Sequence, residues 1–292
     1  MRLGPFDPNN IRVRRGEGGG MGLPIGGAGG LGCGTIILAA IAYFVFGADP
    51  MQFLGGNQAS DQSGYSQAGF QPQGNESAAQ ICSENQYATE ACNALSSLNT
   101  TWKAAFQQAN VPWHQPELVF YQGGTRSGCG AAQSSMGPFY CPQDESIYID
   151  TSFYDEMARK LGAKGDFARY YVIAHEYGHH VQKLTGVADQ IASAQQQDPA
   201  NANRYQVMME LQADCYAGVW AGKNRNLIEP GDFEEGMTAA SAIGDDTLEK
   251  NAGEAVNPET FTHGTSAQRM QALRTGMQSG DDTACDKYVQ QA

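Results

Sequence analysis

His175, Glu176 and His179 form a His-Glu-x-x-His pattern within Ala168 to Leu184 (ARYYVIAHEYGHHVQKL). On a helix, residues four apart lie on one face, so both imidazoles can offer a nitrogen to the same Zn²⁺. Glu176 is turned about 100° from His175, placed to hold a water and act as general base rather than to bind the metal. Two histidines leave a catalytic zinc one protein ligand short. A third histidine in the extended His-Glu-x-x-His-x-x-Gly-x-x-His form is excluded, because Gln182 and Thr185 occupy the required positions. The best candidate for the missing ligand is Glu210, with Asp214 four residues on, in an otherwise apolar stretch around Val207, Leu211, Ala217 and Trp220. Asp214 would accept a hydrogen bond from a ligand histidine and set its tautomer. The same pair would also suit a solvent-facing helix.

Zinc polarises a scissile carbonyl and acidifies water; Glu176 would carry the proton to the leaving amine, and a donor is needed for the oxyanion. The chain has five histidines, and His263 is the best placed of those left over. It precedes a capping box of Thr265 and Gln268, and Arg269 on that helix could hold a carboxylate or a substrate carbonyl. His180 is expected to face away from the metal, and His114 receives no role.

The elements that must position these residues read as α+β. Helical patterns run over Ser83 to Asn110, Ser152 to Leu161, the His175 stretch, Asn203 to Lys223, Asp232 to Lys250 and Ser266 to Met277. Glu117 to Tyr121 and Ser146 to Asp150 read as strands, either of which could pair with a substrate backbone, and Gly123 to Gly137 reads as a glycine-rich loop. Ahead of a folded domain at 78–292, three segments are expected. Residues 1–30 read as a disordered cytoplasmic tail, 31–48 as a transmembrane helix contacting the lipid bilayer, and 49–77 as a Gly/Ser/Gln linker. Leu31 to Gly47 is continuously apolar or small, with arginines before it and acids after it. That pattern places the N-terminus in the cytoplasm and the domain outside; cleavage near Val45 to Gly47 and secretion is the alternative.

Of 292 residues, 31 are acidic and 18 basic, for a net charge of -13, which argues against nucleic acid as a partner. Six of the seven cysteines (Cys82, Cys92, Cys129, Cys141, Cys215, Cys285) follow the apolar segment, so disulfides are expected if that part lies outside the cytoplasm. Reduced core cysteines are the alternative, and no Cys-x-x-Cys suggests a cysteine zinc cluster.

Gly128-Cys129, Gly137 to Pro142 (GPFYCP), Gly165 to Gln182, Glu210 to Gly218 (ELQADCYAG), Glu229 to Asp232, Ser241 to Asp246 and Thr262-His263-Gly264 together resemble the bacterial neutral zinc metallopeptidases. The order of motifs is more distantly similar to the membrane zincins of the prenyl-protein-processing and heat-shock type. The resemblance implies a zincin-like domain with one Zn²⁺ per chain and a peptide or protein substrate. It implies His175, His179 and Glu210 as ligands, Glu176 as base, and Asp214, His263 and Arg269 in support. It also suggests the pairs Cys129–Cys141, Cys215–Cys285 and Cys82–Cys92. A non-catalytic binding domain stabilised by zinc is the alternative on the same scaffold.

Overall fold

The computed structural model describes residues 1–16 and 76–290. In chain order the elements are β1 (Arg12–Arg15), α1 (Ala78–Cys82), α2 (Gln86–Ala109) and β2 (Glu117–Phe120). A hairpin of β3 (Gly124–Ser127) and β4 (Gly130–Gln133) follows, then β5 (Phe139–Cys141) and β6 (Ser146–Ile149). The rest is helical: α3 (Ser152–Lys160), α4 (Asp166–Thr185), α5 (Val187–Gln197), α6 (Ala202–Lys223), α7 (Asp232–Ala242), α8 (Asp245–Asn251) and α9 (Ser266–Ser279). A small sheet beside a larger helical layer makes the fold α+β.

The main sheet has the order β1-β2-β6-β5, with β1, β2 and β6 parallel and β5 antiparallel to β6. Inner strands packed on both faces need apolar side chains throughout. Leu118, Val119, Ile147, Tyr148 and Ile149 accordingly have no exposed surface. Both strands expected to receive a substrate backbone are therefore interior and have no free edge. The stretch expected to be a glycine-rich loop instead contains the β3/β4 hairpin.

Helix α2 buries Leu95, Leu98, Trp102 and Phe106, the stripe its periodicity predicts. It packs on α4, which is in turn flanked by α6 and α7. Helix α4 stops at Gly186, which has φ +80°. Among the described helices, α6 and α9 pack together most closely. A Cβ on Gly218 would sit 2.2 Å from the Leu273 carbonyl oxygen, and one on Gly276 would sit 2.0 Å from that of Cys215. Backbone meets backbone there, and a disulfide from Cys215 to Cys285 ties the following turn to the same helix. Cys82–Cys92 and Cys129–Cys141 are also bonded.

The N-terminal segment corrects the expected layout. Residues 1–16 are not a free tail. Met1 is buried, its ammonium lies 2.7 Å from Asp232, and the Arg2 amide donates to the Leu227 carbonyl at 2.8 Å. Strand β1 pairs with β2, while Arg14 binds Glu117 at 2.7 Å and Arg15 binds Glu76 at 2.6 Å. The expected span at 31–48, and all but the last two residues of the expected linker, lie outside the described residues. Even so, a chain crossing a membrane once between residues 16 and 76 would put β1 and β2 on opposite sides. The single-pass arrangement, N-terminus inside and domain outside, is thereby overturned. The bilayer contact expected from it has no support, and among the described residues no helix is long and apolar enough to cross a membrane. Cleavage near residue 47 would remove β1 from the sheet.

The α6–α9 contact makes a stability prediction. Gly276→Ala should lower unfolding free energy by about 1–3 kcal/mol, because overpacking outweighs the helix propensity gained. Denaturant unfolding with an unchanged midpoint would contradict the packing described.

Candidate active site

Helix α4 presents His175 and His179 one turn apart, with ring centroids 4.9 Å from each other. Helix α6 approaches from the side at Gly178, where a Cβ would lie 2.9 Å from both Cα and the carbonyl oxygen of Ala213. Only glycine permits that approach, and the approach is what brings Glu210 to the histidines. Glu210 Oε2 lies 3.1 Å from His175 Nε2, and Oε1 lies 3.5 Å from His179 Nε2. One donor atom from each of the three residues falls within 4.8 Å of the other two.

The far side of each ring is already engaged. His175 Nδ1 donates to Asp214 Oδ1 at 2.8 Å, and His179 Nδ1 donates to Gln182 Oε1 at 2.8 Å. The Gln182 amide is oriented by its own donations to the Met209 carbonyl at 2.8 Å and to Gln212 Oε1 at 3.0 Å. Both rings therefore commit Nδ1–H outward and turn Nε2 inward, the atom through which such histidines bind a metal once it is deprotonated. Two such nitrogens and a carboxylate form a donor set that suits zinc, with room in the usual coordination for water or substrate.

The electrostatics favour a cation. Burial alone would discharge His175, but Asp214 and Glu210 outweigh it and push the ring up to about 10. Burial would likewise raise Glu210, yet His179 and His175 hold it well below the ordinary carboxylate range. Burial lifts Glu176 above its usual value, with His175 and His179 opposing the rise.

Asp214 has no exposed surface and is enclosed by donors. Besides His175 it accepts the Tyr171 hydroxyl at 2.5 Å, Arg269 Nε at 2.8 Å and Arg269 Nη2 at 2.9 Å. Arg269 is itself 1% exposed, and Nη1 donates to the Ile243 carbonyl at 3.3 Å. The guanidinium thus stands behind His175 and grips Asp214, with almost no surface exposed. His180 spends both nitrogens away from the site, accepting from the Tyr140 hydroxyl at 3.0 Å and donating to the His114 carbonyl at 2.8 Å. His263 is buried, with Nδ1 2.9 Å from Asp245 Oδ1 and, among the described residues, no partner for Nε2.

Sequence reasoning missed Gln182, Tyr171, Gly178 and Asp245. Gln182 had a signal, lying one turn beyond His179; the others depend on contacts across elements. Gln182→Ala should weaken zinc binding about 10–100-fold by freeing the His179 ring. Competition against a chromogenic chelator measures this, and unchanged affinity would show that His179 needs no such support.

Comparison with known proteins gives the family of the chain. The family described as "Putative neutral zinc metallopeptidase" matches residues 6–288. Uncharacterized protein YpfJ of Escherichia coli (strain K12) is 44% identical over 294 residues, covering 98% of this chain and 97% of that protein. Uncharacterized protein Rv2575 of Mycobacterium tuberculosis (strain ATCC 25618 / H37Rv) is 39% identical over 205 residues, covering 66% of this chain and 67% of that protein. No solved structure matches the chain. The match across nearly the whole chain, β1 included, establishes that it belongs to the neutral zinc metallopeptidase family.

Proposed function

We propose that the chain is a zinc-dependent peptidase that hydrolyses peptide bonds of peptide or protein substrates. The observation that carries this reading is the inward convergence of His175 Nε2, His179 Nε2 and Glu210, with both Nδ1 atoms already committed. These three residues would hold one zinc ion per chain. The chemistry zinc supplies when bound is Lewis acidity, which polarises a carbonyl and makes water a better nucleophile near neutral pH.

Glu176 follows His175 directly on α4 and is 8% exposed. It is the general base: it takes a proton from the attacking water and passes it to the departing amine. Its upward shift by burial brings it closer to the range in which a carboxylate can both accept and return a proton. His263 is the donor for the oxygen that gains charge as the carbonyl is attacked. Asp214, Arg269 and Tyr171 do not touch substrate; they hold His175 in place.

A peptide backbone needs a free strand edge to pair with. Strand β5 is an edge strand and packs on α4, where Tyr140 contacts His180. It is the strand along which substrate would lie, in place of β2 or β6. Three disulfides suit an oxidising compartment outside the cytoplasm.

Hydrolysis of fluorescein-labelled casein by the zinc-loaded protein tests the reading. Glu176→Gln should lower the rate by at least about 10²–10⁴-fold while retaining stoichiometric zinc. A chelator should abolish activity, and added zinc should restore it. Zinc-loaded wild type that cleaves no faster than Glu176→Gln would leave a binding role in place of catalysis.

A further inference from the structure

The break between α7 and α8 falls where the sequence suggested one continuous helix from Asp232 to Lys250. At Gly244 there is no space for a side chain, since a Cβ would lie 2.3 Å from the Ser266 amide nitrogen. With α9 pressed against Gly244, α8 starts afresh at Asp245, and the Asp245 side chain faces the loop before α9. Oδ2 accepts the backbone amides of Thr262 at 2.8 Å, His263 at 2.7 Å and Gly264 at 3.0 Å. The Asp245 amide donates to the Gly264 carbonyl at 2.9 Å in return. Gly264 adopts φ +87°, which lets the loop wrap around the carboxylate.

This grip accounts for the loop, but not for the remaining contact. Oδ1 meets His263 Nδ1 at 2.9 Å, and the Thr262 hydroxyl also lies 3.1 Å from that nitrogen. A carboxylate oxygen can only accept there, so the ring's proton sits on Nδ1. Nε2 is then the single free valence of a ring that is 4% exposed, and it has no partner among the described residues. A buried polar atom without a partner destabilises a fold by about 1–3 kcal/mol, so a ligand that engages Nε2 would remove that cost. The surroundings indicate where that ligand would be. A Cβ on Gly264 would lie 3.1 Å from Val207 and 3.5 Å from Leu211, so the loop rests on the part of α6 that carries Glu210.

We infer that Asp245 is a positioning residue: it holds His263 with Nε2 alone turned toward the substrate at the Glu210 side of the site. The inference rests on the peptidase reading for its chemical consequence. To donate from Nε2 while Nδ1 keeps its proton, the ring must work as the imidazolium. Asp245 is the carboxylate placed to offset that charge. A charge-assisted hydrogen bond to a developing oxyanion is about twice as strong as a neutral one. Replacement by asparagine reverses the arrangement. The amide oxygen takes over the three backbone N–H groups, the amide NH₂ faces Nδ1, and the ring is driven to the neutral Nε2–H tautomer.

The test combines ¹⁵N NMR of the histidine rings with casein hydrolysis, using the zinc-loaded chain and its Asp245→Asn, His263→Ala and double variants. In wild type, Nδ1 of His263 should show the protonated, pyrrole-type shift, and in Asp245→Asn Nδ1 should lose that proton and leave Nε2–H as the ring's only N–H. Asp245→Asn should lower kcat about tenfold with KM and zinc content unchanged. In the His263→Ala background it should cause no further loss, because both act through one ring. An unprotonated Nδ1 in wild type, or losses that multiply in the double variant, would overturn the inference. If Asp245→Asn does not fold, the wild-type ring spectrum decides alone. If His263→Ala cleaves casein at the wild-type rate, the donor role assigned above fails, while the ring spectrum still decides how Asp245 places the histidine.

Discussion

The Asp214 carboxylate joins the parts of the molecule that make the site. It accepts from His175 and Tyr171 on α4 and from Arg269 on α9, while belonging to α6. Three helices therefore converge on one buried ion pair. Such pairs are rarely net stabilisers against a well-packed apolar core, yet removing one partner is expensive, on the order of 3–5 kcal/mol. That asymmetry makes the arrangement specific. Any packing of α4, α6 and α9 that separates Arg269 from Asp214 strands a buried charge, so the geometry that presents His175 is the one the core tolerates.

Close backbone packing makes this convergence possible. Gly178 lets α4 meet α6, and Gly218 and Gly276 let α6 meet α9. The small residues act through distance: with a methyl group at any of these points, the carboxylates would stand off from the rings they serve. The sheet contributes less to the chemistry. It buries one face of the helical layer and offers β5 as an edge, and its other edge is completed by β1 from the start of the chain. Because β1 and Met1 are built into the same body as the helices, the chain's two described parts lie on one side of any membrane.

Much of the site was legible because helical periodicity is a strong local signal. The four-residue spacing of His175 and His179, and of Glu210 and Asp214, places each pair on one face whatever the tertiary structure. The stripe of α2 and the capping box at Thr265 were readable for the same reason. Contacts set by tertiary packing were not. Asp245 meets a loop 17–19 residues further on, across a helix break at Gly244, where the start of α9 leaves no room for a side chain. Arg269 reads as available to substrate from its position on a first helical turn; in the fold it is buried against Asp214. Strands β2 and β6 looked equally able to bind a peptide until their partners on both sides were known. The apolar run after Gly30 matched the length and flanking charges of a membrane span, and the pairing of β1 with β2 overturned the topology drawn from it.

The central claim is that His175, His179 and Glu210 form one zinc site whose rings are oriented from behind. X-ray absorption at the zinc K-edge of the zinc-loaded chain tests it most directly. The account predicts one zinc per chain, with a scattering signature of two imidazoles, an oxygen-only remainder and no sulfur, and with one imidazole lost in His179→Ala. A sulfur shell, or a spectrum unchanged by that substitution, would place the metal elsewhere and contradict the account.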